Sequence, residues 1–478
     1  MFEYNKSKLE SKSKYKIFIR TWGCTLNQSD SDIMRALLKN NGYKLVSSEK
    51  NAHAIVLNTC TVKGATENKI FEEIKRLKKL GKNIIIAGCL SANIDKIRKI
   101  AQRAPVVGPG AINRIGDAVK LALTEQYGQS RESALSEQNS KQEGECKGEQ
   151  ESERKDEQEG WQKGVFFKEY KQKFSLPRIF TFPIIRIPIQ EGCVGKCTFC
   201  QTKFARPFLM SYPKKEIVRL IELAVQCGQN KQQRKSTKEI QLTGMDSGAY
   251  GIDIKTNLIS LLKDIVRIKS PFKLRLGMTN PNHVKAMCIE LIKLFNDEKM
   301  YKFLHMPVQT GSEKICKEMK RTHSVKDFEH CVAEFRENIP DISIATDIIT
   351  AYPTESEEDY ELTSEMILRV KPDVINISRF TPRHGTEAEN LAQIESRIAK
   401  KRTSEMAKLA KQIVYKNAEK FVGRKVPVLI TEVGLRNQMK GRMQNYRQVV
   451  VRGNKKLLGK IVTVKIVCAE NGTLFGEC

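Results

Sequence analysis

The chain has 478 residues, of which 83 are Lys or Arg and 55 are Asp or Glu, so its formal net charge is +28. This length excludes a single compact core, and a hydrophobic content of 40% excludes a wholly disordered chain. The basic excess predicts a polyanionic partner, most simply nucleic acid, with a membrane surface as the alternative.

Targeting signals and disulfides are both disfavoured. We find no run of about 20 apolar residues that would anchor the chain in a membrane, and residues 1–8 lack the apolar core of a secretory signal. The 13 cysteines are odd in number and widely spread, which is untypical of a disulfide framework. We therefore expect a cytoplasmic, monomeric protein that makes no contact with a membrane and whose cysteines bind metal.

Residues 15–125 alternate between strand-like and helix-like runs, which predicts an open parallel α/β sheet domain. Helices are predicted at 29–41, with Ser29 as N-cap, and at 64–80. The predicted strands are 15–22, 54–59 and 83–88, and each is followed closely by a cysteine: Cys24, Cys60 and Cys89.

Ligands of such sheets bind at the carboxyl ends of the strands. Taken singly, each of these cysteines is better explained as a buried core residue. Their repeated placement instead predicts a three-thiolate metal cluster at that edge.

Residues 126–172 differ in composition from their surroundings. Between Arg131 and Gly160 there are ten acidic and five basic residues, many Gln, Ser and Gly, and almost nothing apolar. Such a composition predicts a disordered insertion in the linker between domains, more simply a passive spacer than a regulatory element. Cys146 within it is then not a metal ligand.

Residues 173–415 contain six strand-like runs, each followed by a helix-like stretch. The predicted strands are 182–189, 238–242, 273–278, 303–309, 342–349 and 374–378, and a helix is predicted at 214–227. This alternation predicts a partial (β/α)6 barrel, open on one side, with functional residues on the loops after the strands.

The first loop of this barrel carries Cys193, Cys197 and Cys200 in a C-x3-C-x2-C spacing. Three thiolates on one loop suit a soft metal centre, and three cysteines can hold a 4Fe–4S cluster with one iron open. Zinc would require a fourth ligand or a water, and no second cysteine pair stands nearby. Three free thiols would be an oxidation hazard. Phe199 is placed to pack against whatever binds at the open iron.

Residues 416–478 are β-rich and contain 13 basic and four acidic residues. Strands at 426–432, 448–452 and 459–467 predict a small β-barrel. Within the basic loop 441–447, Tyr446 is placed to stack on a base, with Arg442 and Arg447 beside it. The alternative is an ordinary solvated barrel with surface lysines.

Several of these motifs resemble known families. The Cys193–Cys200 loop resembles the cluster loop of the radical S-adenosylmethionine (SAM) enzymes. The motifs around the first trio, which resemble the N-terminal domain of the methylthiotransferases, are Thr21-x-Gly-Cys-x-x-Asn-x-Ser-Asp30, Asn58-Thr-Cys-Thr-Val-Lys63 and Ala87-Gly-Cys-Leu90. The Asn58–Lys63 form and the Gln-Thr-Lys-x-Ala-Arg run after Cys200 resemble the archaeal and eukaryotic threonylcarbamoyladenosine tRNA methylthiotransferases. The last domain resembles TRAM, an OB-like RNA-binding barrel.

The resemblance implies two 4Fe–4S clusters, one on each cysteine trio, and SAM bound at the second. It implies methylthiolation at C2 of N6-threonylcarbamoyladenosine, next to the tRNA anticodon, with one SAM as methyl donor and another as radical source. A one-electron donor is then required. No acid–base pair is assigned, because the C2 hydrogen is not acidic. The residues expected to contact SAM are Phe199, Gly244, Asp246, Gln309, Thr346 and Asp347. Lys203 and Arg206 are expected to contact the RNA.

Three positions depart from the family pattern: Pro207 follows Ala-Arg where Gly is usual, and Ala351 and Thr354 replace glycines of Gly-Phe-Pro-Gly-Glu. These changes are expected to alter loop geometry. Two other functions stay open. One is methylthiolation of a ribosomal-protein aspartate, as in a sister family, and the other is a non-catalytic iron- or zinc-containing RNA-binding protein.

Overall fold

The computed structural model describes residues 15–62, 64–124, 164–166, 173–227 and 237–478. Most of the predicted insertion at 126–172, including Cys146, and the motif residue Lys63 lie outside these ranges. The chain divides into two compact units, Met1–Ile179 with Phe204–Arg206, and Phe180–Lys203 with Pro207–Cys478. The predicted barrel and the C-terminal domain thus belong to one unit.

The first unit contains a parallel six-stranded sheet in the order β2-β1-β3-β4-β5-β6. Its strands are β1 Lys16–Thr21, β2 Lys44–Leu45, β3 Ala54–Thr59, β4 Asn83–Gly88, β5 Val106–Val107 and β6 Val165–Phe166. Its helices are Thr25–Asn40, Gly64–Lys79, Ile94–Ile100 and residues 115–124.

Both faces of this sheet are buried, which explains the apolar run of β3. Ala54 and Val56 point into one core cluster, together with Ile33 of helix Thr25–Asn40. Ile55 and Leu57 point to the opposite face and pack with residues of helix Gly64–Lys79. Because neighbouring residues of a strand face opposite sides, a strand covered on both sides must be apolar throughout.

Two predictions for this unit were wrong in detail. The first helix begins at Thr25 with Cys24 as N-cap, and Ser29 is buried inside it. The chain turns sharply at Gly23, whose φ is +103°, so the helix starts directly after the cysteine. Strand β6 lies within the predicted insertion: Phe166 packs in the core, so this part of the linker belongs to the sheet.

The barrel of the second unit has all six predicted strands. They form two parallel three-stranded sheets, β11-β10-β7 and β12-β13-β14, and β8 pairs with β9 in a short antiparallel ribbon. The strands are β7 Ile184–Pro188, β8 Gln190–Glu191, β9 Met210–Ser211, β10 Glu239–Thr243, β11 Lys273–Arg275, β12 Phe303–His305, β13 Ser343–Thr350 and β14 Val374–Arg379.

The helices that accompany these strands include the predicted one, Lys214–Cys227. The helices in the described residues of this part of the chain are Thr202–Ala205, Lys214–Cys227, Leu258–Val266, Pro281–Ala286, Cys288–Phe295, Glu313–Glu318, Val325–Asn338, Glu357–Val370 and Ser396–Glu419. Among the residues described, no helix is long and apolar enough to cross a bilayer.

The chain ends in a closed five-stranded barrel in the order β15-β16-β17-β19-β18. Its strands are β15 Lys425–Val433, β16 Gln438–Arg442, β17 Gln448–Arg452, β18 Ile461–Glu470 and β19 Thr473–Glu477. The sequence predicted three of them and missed β16 and β19. Both are short and carry a glycine, which hides their alternation, although Met439 and Leu474 point into the core.

Candidate metal centres and nucleic-acid interface

The structure brings Cys24, Cys60 and Cys89 together at the carboxyl edge of the first sheet. They follow β1, β3 and β4, which are neighbours in that sheet. Cys60 and Cys89 are buried and Cys24 is exposed. The three thiols are near enough to influence one another electrostatically, so the predicted trio is a structural cluster with one open side.

Two glycines allow the three loops to approach each other. Gly88 has φ +88°, and a Cβ there would lie 2.4 Å from Asn58 Oδ1 and 2.6 Å from Thr59 O. Gly23 has φ +103°, and a Cβ there would lie 2.6 Å from Cys60 Cβ. Any side chain at either position would push the cysteine loops apart.

Asn27 connects all three loops, a role that sequence reasoning did not assign to it. Its side-chain amide donates to Trp22 O (3.1 Å) and Thr59 O (2.7 Å). Its Oδ1 lies 3.7 Å from Cys89 Sγ, which donates to it. One buried side chain therefore contacts the segment before Cys24, the residue before Cys60, and Cys89 itself.

The donor set fits an iron–sulfur cluster. Among the described residues, no three or more His, Cys, Asp and Glu side chains converge closely enough to hold one metal ion between them, which disfavours a single-ion site. In a 4Fe–4S cluster each thiolate binds a different iron, which the trio permits. The side-chain oxygens of Asn58, Thr61 and Ser91 are buried without a hydrogen-bond partner in the described part of the chain, as fits a site for a polar group.

Burial raises the pKa of Cys60 to about 12 and also raises the pKa of Cys89. These thiols therefore carry their protons until a metal displaces them, and loading the site releases protons.

Arg206 was predicted to contact RNA, and the structure corrects this. Its side chain is buried in the first unit, where Nη2 lies 2.5 Å from Asp30 Oδ2 and 3.3 Å from Asn27 Oδ1. Lys173 Nζ donates to the other oxygen of Asp30 at 2.9 Å. An RNA phosphate cannot reach this guanidinium in the structure. Lys203, the other predicted contact, is half-buried on helix Thr202–Ala205.

The second trio lies on the loop between β8 and helix Thr202–Ala205. Cys193, Cys197 and Cys200 are all partly buried. Gly195 N donates to Cys193 Sγ at 3.2 Å, and Cys200 N donates to Cys197 O at 3.2 Å. The loop is therefore folded back on itself, with the backbone supporting the sulfurs.

Arg321 is a further contributor that no local sequence signal reveals. Its Nη1 lies 3.2 Å from Cys197 Sγ, and its Nη2 donates to Pro307 O (2.9 Å) and Asn280 Oδ1 (2.5 Å). A permanent positive charge beside one sulfur suits an anionic thiolate. Thr198 anchors the loop further, because its hydroxyl lies 2.8 Å from that of Tyr352.

This trio also fits a cluster. Burial, followed by the carboxylate of Asp246, raises the pKa of Cys193 to about 12, and burial raises the pKa of Cys200. At Cys193 and Cys200 this favours displacement of the thiol proton by metal over ionisation in water.

Two residues predicted to contact SAM lie on the loop after β10. Asp246 is buried and accepts from Gly248 N (3.2 Å), Asn280 N (3.1 Å) and Asn280 Nδ2 (2.6 Å). It therefore joins the loops after β10 and β11. At Gly244 a Cβ would lie 2.9 Å from Gln190 Cγ, so this position requires the close approach that glycine allows.

The remaining predicted contacts divide into two groups. Thr346 is wholly buried, and its hydroxyl bonds Met306 O (2.9 Å) and Val308 N (3.2 Å), so its role is structural and we no longer expect it to touch SAM. Asp347 and Gln309 are only partly buried and share a backbone hydrogen bond of 2.9 Å. Asp347 Oδ2 also lies 2.6 Å from Nε2 of His305.

Phe199 packs against Ile315, Met319 and Tyr352 as part of an apolar cluster behind the loop. Of the family departures, Ala351 takes φ +58°, the left-handed region that favours glycine, at a cost of about 1–2 kcal/mol. Its amide donates to Glu355 Oε2 at 2.8 Å, which helps to hold that conformation. Thr354 donates its hydroxyl to Glu318.

The loop predicted to bind RNA packs instead against the partial barrel. Tyr446 stacks edge-on against Tyr301, at 4.7 Å between ring centroids, and its hydroxyl donates to Glu239 Oε1 at 2.9 Å. Arg447 is buried and ion-paired with Asp373. Arg442 lies over the Tyr446 ring, 4.8 Å from its centroid. Tyr446 and Arg447 therefore dock the two domains together, which corrects their predicted role.

A basic cavity lies elsewhere on the C-terminal barrel. It has a volume of about 590 Å³ and is lined by residues 436–438 and 452–454. Arg436 and Arg452 are exposed there, close in sequence to exposed Lys455 and Lys456. Two cations beside an open cavity form a more accessible site for an RNA phosphate than the docked loop.

Three family models match the chain. The model described as "Uncharacterized protein family UPF0004" matches residues 16–108, "Radical SAM superfamily" matches 187–367, and "TRAM domain" matches 419–478. Among solved structures, the radical S-adenosylmethionine methyltransferase TsrM of Kitasatospora setae has a TM-score of 0.50 at 13% identity, over 79% of this chain and 74% of that one. This similarity concerns the fold alone.

Curated relatives match almost the whole chain. A "Probable threonylcarbamoyladenosine tRNA methylthiotransferase" of Pyrococcus abyssi is 37% identical, covering 97% of this chain and 99% of the relative. One from Archaeoglobus fulgidus is also 37% identical, over 97% and 98%. The "Threonylcarbamoyladenosine tRNA methylthiotransferase" of Homo sapiens is 33% identical, over 96% of this chain and 73% of the human protein.

Proposed function

Because this chain belongs to the threonylcarbamoyladenosine tRNA methylthiotransferase family, whose members are radical SAM transferases, we propose that it methylthiolates C2 of N6-threonylcarbamoyladenosine next to the anticodon of tRNA. The observation that carries this proposal is the presence of two separate three-cysteine sites, one at the carboxyl edge of each parallel α/β fold.

Each trio has its own task in this proposal. When bound, a 4Fe–4S cluster on Cys193, Cys197 and Cys200 would supply one electron to SAM, and a second cluster on Cys24, Cys60 and Cys89 would supply the sulfur-handling site. The protein's own contribution is to hold the cysteine side chains in position. Arg321 does this at Cys197, and Asn27 does it among the loops of the first trio.

The reaction uses two molecules of SAM. One gives its methyl group to an inorganic sulfide, the sulfur source that the reaction also consumes, and leaves as S-adenosylhomocysteine. The other takes up an electron from a donor protein, splits into methionine and a 5′-deoxyadenosyl group, and leaves as 5′-deoxyadenosine with the C2 hydrogen. The electron is returned when the carbon–sulfur bond forms. No side chain needs to act as general base.

The proposed RNA partner agrees with the charge of the chain. Bases of a single-stranded loop can be turned out into a pocket, unlike bases in a stem. The C-terminal barrel supplies exposed cations around its basic cavity, of which Arg436 and Arg452 are the nearest. A monomeric state, a cytoplasmic location, the absence of membrane contact and the requirement for a one-electron donor stay predictions.

The decisive experiment is mass spectrometry of tRNA nucleosides from cells with and without the protein. We expect 2-methylthio-N6-threonylcarbamoyladenosine only when the protein is present. In vitro, S-adenosylhomocysteine and 5′-deoxyadenosine should each form once per product. Unchanged methylthio content of the tRNA, with modification found on a ribosomal protein instead, would refute the tRNA assignment in favour of the sister activity.

Anaerobic metal analysis tests the second cluster. Two clusters predict iron and sulfide in equal amounts, and removal of either trio should halve both. Stoichiometric zinc without sulfide would instead indicate a non-catalytic RNA-binding protein. Substitution of Cys24 by Ala should preserve SAM cleavage and abolish methylthiolation. If cleavage is lost as well, the two sites do not act separately.

The RNA surface is tested with Arg436→Gln and Arg452→Gln. Each phosphate contact that is lost should weaken tRNA binding at low salt and reduce the slope of log K against log salt by about one. The matched control is Arg267→Gln with Lys269→Gln, two exposed cations of the other domain of the same unit. If the Arg436→Gln/Arg452→Gln and Arg267→Gln/Lys269→Gln double variants lost equal tRNA affinity, the cavity would not be the RNA-binding site.

A further inference from the structure

Arg206 is buried beside the first cysteine trio rather than on an RNA-facing surface. It belongs to the first compact unit although it follows Cys200 closely in the sequence. Its guanidinium contacts Asn27 Oδ1 at 3.3 Å, and Cys89 Sγ lies 3.7 Å from the same oxygen. The Oδ1 atom of Asn27 therefore lies between the guanidinium and the Cys89 sulfur, and Arg206 and Cys89 are both buried.

The orientation of Arg206 is determined by Asp30. One oxygen of this buried carboxylate binds Lys173 at 2.9 Å, and the other binds Arg206 at 2.5 Å. All three side chains are almost completely buried. The same Nη2 nitrogen contacts Asp30 Oδ2 and Asn27 Oδ1, so the ion pair holds the guanidinium beside the Asn27 side chain that also contacts Cys89.

Arginine is the residue type suited to this position. Its guanidinium stays charged when buried and presents several N–H donors in one plane. Hydrogen bonds to cluster sulfurs and positive charge nearby both stabilise added negative charge, and so raise the reduction potential of an iron–sulfur group.

We propose that Arg206 is a positioning residue of the Cys24–Cys60–Cys89 site, where its buried charge lies beside Cys89, bridged to it by Asn27, and raises the reduction potential of the cluster bound there. This inference rests on the proposed function, because it requires a cluster on the first trio. It assigns to Arg206 an electrostatic role in sulfur handling in place of RNA contact.

The experiment uses the full-length chain with Cys193, Cys197 and Cys200 replaced by Ala, so that any iron belongs to the first trio. Arg206→Gln, Arg206→Lys and the surface control Arg103→Gln are made in this background. Iron and sulfide are measured anaerobically, and the midpoint potential is determined by a redox titration followed by electron paramagnetic resonance.

We expect Arg206→Gln to disfavour reduction about tenfold, which is 59 mV for one electron. Arg206→Lys keeps the charge and should shift less, and Arg103→Gln, which changes an exposed charge of the same unit, should not shift the potential. Asp30→Asn removes a negative charge but keeps an acceptor oxygen for the guanidinium, so it should move the potential upward. Shifts of opposite sign at two contacting residues are not expected from general loss of structure.

Failure of this inference can be told apart from failure of the proposed function. If the parent variant holds no iron or sulfide, the second cluster itself is absent and both fail. If the cluster is present and its potential is the same in Arg206→Gln, the inference is wrong and the function stands. If Arg206→Gln loses its iron, the midpoint potentials of Arg206→Lys and Asp30→Asn test the inference instead. Unchanged potentials in both variants overturn it.

Discussion

The side-chain amide of Asn27 donates a 2.7 Å hydrogen bond to the carbonyl oxygen of Thr59, the residue directly before Cys60. Both groups are buried, and Asn27 stands on the helix that begins directly after Cys24. The bond therefore links two cysteine loops that are distant in sequence. It makes the geometry of the first trio depend on a residue that is not itself a ligand.

We predict that Asn27→Ala lowers the free energy of unfolding of the first unit by about 1–3 kcal/mol, because the Thr59 carbonyl is left buried without its donor. Iron bound by the first trio should fall in parallel. Denaturant unfolding and anaerobic iron analysis measure the two effects. The control Asn51→Ala removes an exposed amide and should stay within about 0.5 kcal/mol. A stable Asn27→Ala variant with full iron would refute the role.

Gly192 determines the conformation of the chain just before Cys193. It has φ +66°, and a Cβ there would lie 1.8 Å from the carbonyl oxygen of Phe208. We predict that Gly192→Ala displaces the loop and lowers both iron at the second trio and SAM cleavage severalfold. The assays are iron content in a background without the first trio, and formation of 5′-deoxyadenosine.

The matched control is Gly423→Ala. Gly423 also has positive φ, +85°, but a Cβ there would meet no atom within 4 Å. Only backbone strain of about 1–2 kcal/mol is then expected, with iron and cleavage unchanged. Equal effects at the two glycines would mean that strain, and not the clash with Phe208, controls the loop.

Tyr446 docks the C-terminal barrel on the partial barrel. Its hydroxyl lies 2.9 Å both from Glu239 Oε1 and from Gln241 Nε2. Tyr446→Phe keeps the ring but leaves the buried Glu239 carboxylate short of a donor. We therefore predict a loss of about 1–3 kcal/mol in denaturant unfolding, with tRNA affinity changed little.

The control for this prediction is Tyr415→Phe, which removes an exposed hydroxyl bonded to Glu419 and should have almost no effect. A loss of tRNA binding without a loss of stability would instead support the sequence-based prediction that Tyr446 contacts RNA. If Tyr446→Phe left stability unchanged and Tyr446→Ala lost tRNA binding alone, the ring would be stacking on a base after all.

His323 makes stability depend on pH. Burial, followed by the neighbouring Arg321, lowers the pKa of His323 from 6.5 to about 4. Since the unfolded chain binds a proton below pH 6.5 and the folded chain does not until about pH 4, stability is fully present above pH 6.5 and falls as the pH drops through this window. Between pH 7.5 and 5 the loss is about 2 kcal/mol.

Replacement by Gln removes the titrating group, so His323→Gln should lose about 2 kcal/mol less than the unmodified chain between these two pH values. Denaturant unfolding at both pH values measures this difference. His330→Gln, at an exposed position, should keep the full dependence. Identical pH profiles for the unmodified chain and His323→Gln would show that His323 is not the group responsible.

Local patterns were sufficient for much of the architecture. The six barrel strands were predicted because each is a short run rich in β-branched and other apolar residues followed by a helix-like stretch, as at Ile184–Pro188 and Ser343–Thr350. The helix start at Thr25 was missed because a serine four residues later looked like a cap, whereas the actual N-cap, Cys24, makes no side-chain cap bond. Capping rules describe the average preferences of residue types, so they do not predict a helix that begins after a cysteine.

The positions of six cysteines were enough to predict both trios. Cys24, Cys60 and Cys89 each follow a different strand, and the loops after parallel strands meet at one edge of the sheet. The other three cysteines lie close together on a single loop. The roles of Arg206, Tyr446 and Arg447 could not be predicted in this way. A basic or aromatic side chain looks the same in sequence whether it faces solvent or a buried carboxylate. Asp30, Glu239 and Asp373 are distant from these residues in sequence, and only folding brings the charges into contact and removes the water between them.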